Sequence, residues 1–453
     1  MDFASRAVDA FDSGVTDGVL HETRRCLVNV MATAVGAASD PGISSLVRTA
    51  QRLDGSGAIG LPGRHERVGA LWAAEVVGSA AHLDDFDDTH LATVIHPGAA
   101  TLGTLWSLVA TPMDLPLDVA STRGRKELVA AAVGIEAQLR IGMAMSPYHY
   151  DRGWHITGTC GVLGAATTAG LLLGLEPEDL AGAIGIAASM TVGVRESFGT
   201  FLKPLHAGKA AANGVLSAML RRGGITSSTR VLEAPRGYFG VLADSNWDPE
   251  WLGVGSFGAE WLMADNTYKP YPCGIVAHPA IEAALRIRDA TSPWNTPSID
   301  SVRVICNPLV PELMGNRRPE TGLEARFSAV HVVAAALVDG EMGLAQVANS
   351  RVVDRELQTV RDRVRLEVDD SMGRESALVE VSFVDGSRSA VTIDHVIGST
   401  HCPFDDDALN EKFDSLVAPV LGQDQTRRLR DAAWSLGDRT CFADVAAIAS
   451  VEP

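Results

Sequence analysis

The chain has 453 residues, 46% hydrophobic and 21% charged, with a net charge of −18. That length points to two or three domains of ordinary soluble composition, and the acidic balance argues against nucleic acid, since phosphate binding needs a basic surface. No apolar run is expected to reach membrane-spanning length. Residues Met1 to Gly18 lack a basic-then-apolar pattern, so no signal peptide is expected. The six cysteines are far apart and form no C-x-x-C pair. A structural zinc or iron–sulfur cluster is therefore not expected, and free thiols in a reducing cytoplasm are.

From residue 1 to about 265 the pattern is helical. Leu20, Leu27, Val28, Met31 and Val35 recur at helix spacing. Further helices are predicted over Val68 to Ala80, Ala99 to Val109, Glu127 to Met145, Gly161 to Leu173, Leu180 to Met190 and Ala207 to Leu220. Several are rich in Ala and Gly, which lets backbones approach closely. The character changes after residue 265, where Pro270, Pro272 and Pro279 interrupt the chain. Ile281 to Ile287, Ala329 to Val338 and Asp354 to Arg361 read as helices. Ser301 to Cys306 and Arg363 to Val368 alternate as strands, and Leu378 to Val384 and Ser389 to Val396 flank the hairpin signal Asp385-Gly386. Asp406 to Ala449 returns to helix. The expected fold is mainly α: a large all-helical domain built from both chain ends (1–265 and 400–453) and a smaller α+β lid domain (266–399).

Four stretches break these apolar surroundings. Asp84-Asp85-Phe86-Asp87-Asp88-Thr89-His90, followed by His96-Pro97-Gly98, places four carboxylates within five residues with no lysine between them. A solvated face would interleave opposite charges, so these acids need cations, donors or a non-protein partner. The bland alternative is an acidic turn capping the helix that starts near Pro97. Tyr148 to Gly158 packs aromatics, imidazoles, an acid and a cation before an apolar helix, with His155 near its N-terminus, where anions are favoured. Arg195 to Lys209 gathers Arg195, Lys203, His206 and Lys209, a set suited to holding carboxylates. Lys203 precedes Pro204, so an extended backbone is expected there. Its side chain lies outside the apolar periodicity, and losing it is expected to leave the fold intact. The fourth stretch is Tyr268 to Gly274, with Lys269, followed by His278 at the change of character.

In this order and spacing the stretches resemble the MmgE/PrpD family, which includes 2-methylcitrate dehydratase, cis-aconitate decarboxylase and iminodisuccinate epimerase. Asp85-Phe86-Asp87-Asp88-Thr89, His96-Pro97, Gly153-Trp154-His155, Lys203-Pro204-Leu205-His206-Ala207-Gly208, Glu233-Ala234-Pro235-Arg236-Gly237, Lys269-Pro270-Tyr271-Pro272 and Glu324-Ala325-Arg326-Phe327-Ser328 carry the resemblance over nearly the whole chain. It implies a homodimer needing no metal or organic cofactor. It also places Asp85, Thr89, His96, His155, Lys203 and His278 on positions that line the active site of decarboxylase-like members. One position departs: those members tend to have a tyrosine three residues after the serine, where this chain has His331.

The chemistry implied is a cofactor-independent lyase, a dehydratase or decarboxylase, acting on a small di- or tricarboxylate. Lys203, Lys269 and Arg195 are candidate clamps for carboxylates, and His96 and His155 candidate acid and base. Asp85 would orient one imidazole. Without a leaving group the same machinery is an epimerase. Two other classes fit parts of the sequence. Asp84-Asp85-Phe86-Asp87-Asp88 satisfies the D-D-x-x-D pattern of magnesium–diphosphate enzymes, although no second acidic motif follows and aromatics are only 6%. A non-catalytic carboxylate-binding protein is the third reading.

Overall fold

The computed structural model describes residues 2–109, 120–191, 193–253, 257–258, 260–291 and 293–451. The architecture is mainly α, with twenty α-helices among the described residues. One apolar core runs from Phe3 to Met263 and takes in Phe413 to Ala449, so both ends of the chain share it. A second core runs from Cys273 to Val396.

Small residues set how closely the helices cross. Where Ala70–Leu83 meets Leu202–Arg222, a Cβ on Gly78 would lie 3.0 Å from the Gly208 Cα, and one on Gly208 only 2.1 Å from the Glu75 carbonyl oxygen. Backbone is packed on backbone there, so no side chain can yield. These residues pack helix on helix within one chain, not one copy on another. The crossing sets the start of Leu202–Arg222, which carries Lys203, against the end of Ala70–Leu83, which runs into the acidic stretch.

The second core lies against a four-stranded sheet in the order Val364–Val368, Ile299–Cys306, Ala377–Phe383, Arg388–Ile393. The first pair is parallel and the others antiparallel. The Asp385-Gly386 turn joins the last two strands, with Gly386 at φ +87°, where glycine is favoured. The last strand stops at Ile393 rather than Val396, because residues 394–405 leave the sheet for the Asp406–Leu421 helix.

Three expectations are corrected. Residues 67–68 are not helical: they pair with Ile59–Gly60 as a short strand, and the helix begins at Ala70. Lys203 is helical rather than extended, because Leu202–Arg222 starts before it and Pro204 falls in the first turn, where its missing N–H costs little. Finally, Thr122–Met145 is long and apolar enough to cross a membrane, but 94% of its apolar window is buried inside the protein. Its Glu136 and Arg140 pair with each other at 2.7 Å. It has the character of a core helix.

Candidate active site

Short-range geometry delivers each polar stretch to one place. Asp84 ends the Ala70–Leu83 helix, and Asp85 turns the chain through the left-handed region at φ +50°. That conformation is uncommon outside glycine, and Asp tolerates it better than most residues. The chain then forms the strand Asp88–His90, which pairs antiparallel with Asn266–Tyr268, Asp88 opposite Tyr268. This pairing places Lys269 beside Asp85. Asp88 accepts from the Gly98 N–H at 3.1 Å and from Asn266 at 2.8 Å. It therefore does cap the helix at Pro97, but from a fully buried position rather than a surface turn. The His96 N–H donates to Thr157 Oγ1 at 3.2 Å, tying the first stretch to the second.

A lysine from the far end of the chain fixes the same loops. Lys412 Nζ, on Asp406–Leu421, donates to the carbonyls of Phe86 (2.5 Å) and Lys269 (2.9 Å) and to Asn29 Oδ1 (2.8 Å). Burial pulls it down to about 7, opposed by Asp87.

Asp85 is the electrostatic centre. Its Oδ1 lies 2.5 Å from Lys203 Nζ and 3.0 Å from Lys269 Nζ, and Lys269 also donates to its backbone carbonyl at 3.0 Å. Burial alone would raise this carboxyl, but Lys203 and Lys269 pull it well below the usual range. Burial lowers Lys203, against the pull of Asp85. The Lys203 ammonium also sits 5.6 Å from the Phe198 ring centre and 5.3 Å from that of Phe327, a weakly hydrated seat for a cation.

Two imidazoles flank this centre, and each is held through Nδ1. His96 Nδ1 lies 3.1 Å from Asp87 Oδ1 and 3.3 Å from Thr89 Oγ1. The other Asp87 oxygen takes His82 Nδ1 at 2.6 Å. The orienting carboxylate is therefore Asp87, not Asp85. A His96 that donates from Nδ1 to Asp87 presents an unprotonated Nε2, which lies 3.9 Å from Asp85 Oδ1. His155 Nδ1 faces His206 Nδ1 at 3.0 Å. One of the two must donate and the other accept, so the tautomer of His206 decides whether His155 Nε2 is a base or an acid. Gly193, at φ +119°, makes room: a Cβ there would stand 3.1 Å from both His155 Cβ and His206 Nδ1. Burial, then His82 and Lys203, hold His155 well below its ordinary value. Burial brings His96 down to about 3 despite Asp87. Both rings are neutral near pH 7.

These groups line one cavity of about 40 Å³. Asp85, Val94, His96, Tyr150, His155, Phe198 and Lys203 form one wall, and Lys269, Gly274, Ile275, Val276, Leu313, Met314 and Phe327 the other. Val94 is a second strained residue, a β-branched side chain at φ +60°. A larger cavity of about 320 Å³ lies between Asp2–Ala4 and residues 229–253, but it is mostly apolar and has no lysine or histidine.

Not every expected residue faces the cavity. Thr89 and His206 stand behind His96 and His155 as hydrogen-bond partners. Lys209 pairs with Glu75 at 3.0 Å. Arg195 is no free clamp: it pairs with Glu312 at 2.8 Å and stacks 4.1 Å from the Tyr150 ring centre, bridging the two units. His278 has its Nε2 3.2 Å from the Cys273 carbonyl, at the start of His278–Ala290. His331 is fully buried, with Nε2 2.9 Å from the Gln346 carbonyl, and does not line the cavity. Sequence reasoning missed Asp87 as orienter, Phe198 and Phe327 as walls, and Lys412. The density of acids was a signal for Asp87, whereas a lone lysine on a distant helix gave none.

The D-D-x-x-D reading fails on geometry. Asp84 pairs with Arg326 at 2.6 Å, Asp85 with two lysines, Asp87 with two histidines, and Asp88 with Asn266 and a helix N-terminus. The carboxylates diverge, each to its own partner. His82, Asp85, Asp87 and His96 do offer ligand atoms within 4.8 Å of one another, but a cation there would have to displace two ammonium groups from Asp85.

A helical unit and an α+β unit closing on a buried acid–base cavity define a class of enzyme rather than a single reaction. The pattern of the MmgE/PrpD N-terminal domain matches residues 2–250 and that of the C-terminal domain residues 271–438, so the chain belongs to the MmgE/PrpD family. It is 26% identical over 440 residues to a cis-aconitate decarboxylase of Mus musculus, covering 94% of this chain and 88% of that protein. It is 28% identical over 383 residues to one of Homo sapiens, covering 82% and 78%. A third cis-aconitate decarboxylase, from Aspergillus terreus, is 24% identical over 454 residues, covering 93% and 90%. These relatives support an enzyme of lyase type.

Proposed function

We propose that the protein is a cofactor-independent lyase that acts on a small di- or tricarboxylate, with decarboxylation as the first candidate reaction. The observation that carries this reading is the convergence of Lys203, Lys269, His96 and His155 around Asp85 in one buried cavity. Two ammonium groups against one carboxylate leave a positive charge for a substrate carboxylate. The neutral imidazoles are poised to take or give a proton at the carbon beside it. In decarboxylation the bond from that carbon to the leaving carboxylate breaks. Carbon dioxide departs, and the electron pair left on carbon collects a proton from an imidazole N–H or from Lys203, whose proton burial has loosened. Apolar walls at Phe198, Met314 and Phe327 exclude water and strengthen each electrostatic contact.

The cavity of about 40 Å³ holds a few waters at most, given the 10–15 Å³ or so that each requires. A tricarboxylate needs the two walls to part, and we infer that the unit carrying Met314 and Phe327 moves as a lid. The identity of the decarboxylase relatives favours loss of carbon dioxide over loss of water or epimerisation.

A panel of small di- and tricarboxylates, cis-aconitate first, incubated with the protein in deuterated water and followed by NMR tests the proposal. Deuterium beside a carboxylate with release of carbon dioxide is the expected result. Deuterium with loss of water identifies a dehydratase, and deuterium with neither identifies an epimerase. No turnover and no exchange with any member of the panel would overturn the lyase reading.

A further inference from the structure

A second cluster of ligating side chains lies outside the cavity. Glu375 stands just before the strand Ala377–Phe383, His395 just after Arg388–Ile393, and His401 on the crossover that returns the chain to the Asp406–Leu421 helix. His401 Nδ1 lies 2.9 Å and His395 Nδ1 3.3 Å from the same oxygen, Glu375 Oε2. The three ligand atoms fall within 4.8 Å of one another. The two rings stack with centres 4.1 Å apart at 21°. Both histidine side chains are more than half exposed, at 51% and 62%, while the glutamate is only 15% exposed.

We propose that Glu375, His395 and His401 form a binding site for a divalent cation of the zinc class. Metal–nitrogen and metal–oxygen bonds of about 2.0–2.2 Å place neighbouring ligand atoms of a tetrahedron about 3.3 Å apart. The 2.9 and 3.3 Å separations here already approach that spacing. Two imidazoles and one carboxylate suit zinc, nickel, cobalt or copper better than magnesium or calcium, which prefer oxygen. The stacked rings must open slightly for both lone pairs to meet one ion, and their exposure leaves them free to do so. Water would complete the coordination.

The position of the site gives it a structural role. Ligands from both ends of the Ala377–Ile393 hairpin and from the crossover would be joined by one ion. On that crossover the Ile397 N–H donates to Glu282 at 2.9 Å, and the helix beyond it carries Lys412, which pins the loops of the cavity. Beside the site, Arg374 is committed to the Leu91 carbonyl of the helical unit at 3.4 Å. An ion here would clip the crossover to the sheet without touching the cavity.

Tag-free, EDTA-treated full-length protein titrated with cobalt(II), read by visible absorption and by melting temperature, tests the site. The wild type is expected to bind one ion with tetrahedral d–d bands and to melt higher with the metal. His395→Ala/His401→Ala is expected to lose the bands and the stabilisation. Glu375→Gln keeps shape and removes the anion, and is expected to weaken binding by at least about 10-fold. Bands, affinity and stabilisation that persist unchanged in either variant would overturn the site, as would wild-type binding no tighter than millimolar.

Discussion

The two walls of the cavity are built on different principles. The helical side carries Asp85, His96, His155 and Lys203, each fixed by a partner: Asp87 and Thr89 for His96, His206 for His155, Asp85 for Lys203, and Lys269 for Asp85. The opposite side is aliphatic and aromatic apart from Lys269. Its ties to the helical side are specific: Lys269 to Asp85, Lys412 to the Lys269 carbonyl, Arg326 to Asp84, Glu312 to Arg195, Arg374 to the Leu91 carbonyl. One wall is a charged frame whose geometry is over-determined, and the other a shaped apolar cover. Chemistry should therefore fail when the first is touched, and selectivity should shift when the second is.

His155→Gln should give the largest loss. Removing a general acid or base typically costs about 10²–10⁴-fold in rate, and one limb of the pH–rate profile should flatten. Gln retains an amide near His206, so the melting temperature should stay within a degree or two of wild type. Wild-type turnover in this variant would remove His155 from the chemistry.

Lys203→Ala comes next, and the structure changes what it should do. Its side chain is buried and locked to Asp85, so the expectation of an intact, equally stable fold does not hold. Stripping one partner from a buried ion pair costs about 3–5 kcal/mol, tempered here by the remaining contact to Lys269. Turnover should fall by roughly 100- to 1000-fold, as for other lost charge clamps. Melting temperature and turnover measured on the same samples should both drop. A variant that melts normally and turns over at the wild-type rate would show that this frame is not fixed by its charges.

Acid should loosen both sides of the cavity. Burial depresses His90, His149 and His206 to about 4 and His96 to about 3 on the helical side, against His331 at about 4 and His278 at about 3 in the other unit. An unfolded histidine titrates near 6.5. Folded values below the unfolded one mean stability that is present above about pH 6.5 and is lost as pH falls toward 4, because only the unfolded chain takes up protons there. Each of these that is fully buried contributes about 1.4 kcal/mol per pH unit in that window, and the half-buried His206 less. Glu22 and Asp88, raised mainly by burial to about 7 and about 6, and Asp84, Glu127 and Glu136, raised by burial as well, oppose this with the reverse sign, but they are fewer than the lowered histidines. Melting temperature should fall steadily between pH 6.5 and 5, and a flat or rising curve would contradict the buried neutral histidines.

The contrast between the walls also explains what could be read from the sequence. Helices and sheet strands followed from periodicity because their apolar faces repeat. Asp85, His96, His155, Lys203 and Lys269 stood out because polar groups that interrupt apolar surroundings need partners. The partners themselves were harder to see. Asp87 and Asp85 are two residues apart and chemically identical, and only the left-handed turn at Asp85 sends one to the lysines and the other to the histidines. Lys412 is one lysine on an ordinary helix, and nothing local marks it as reaching the carbonyls of Phe86 and Lys269. Arg195, His278 and His331 carry the right chemistry, yet nearer partners hold them away from the cavity. The apolar cover was invisible as a site because Phe327 and Met314 look like any core residue.

Met314→Leu should have the smallest effect and bears most directly on the cover. Met314 lines the cavity and packs on Gly274, where a Cβ would come within 2.7 Å of its sulfur. Leucine conserves volume but is branched and stiffer, a change that usually costs under about 1.5 kcal/mol. The charged wall is untouched, so kcat on the best substrate should stay within a few-fold of wild type. The ratio of kcat/KM between substrates differing by one methylene should move instead, within the 1–3 kcal/mol or so that such a group is worth in an apolar pocket. Parallel assays of two homologous dicarboxylates on the wild type and the variant would measure it. If kcat fell about 100-fold for both substrates with their ratio unchanged, the cover would be setting the geometry of the reacting groups, and the division between a chemical wall and a selective wall would fail.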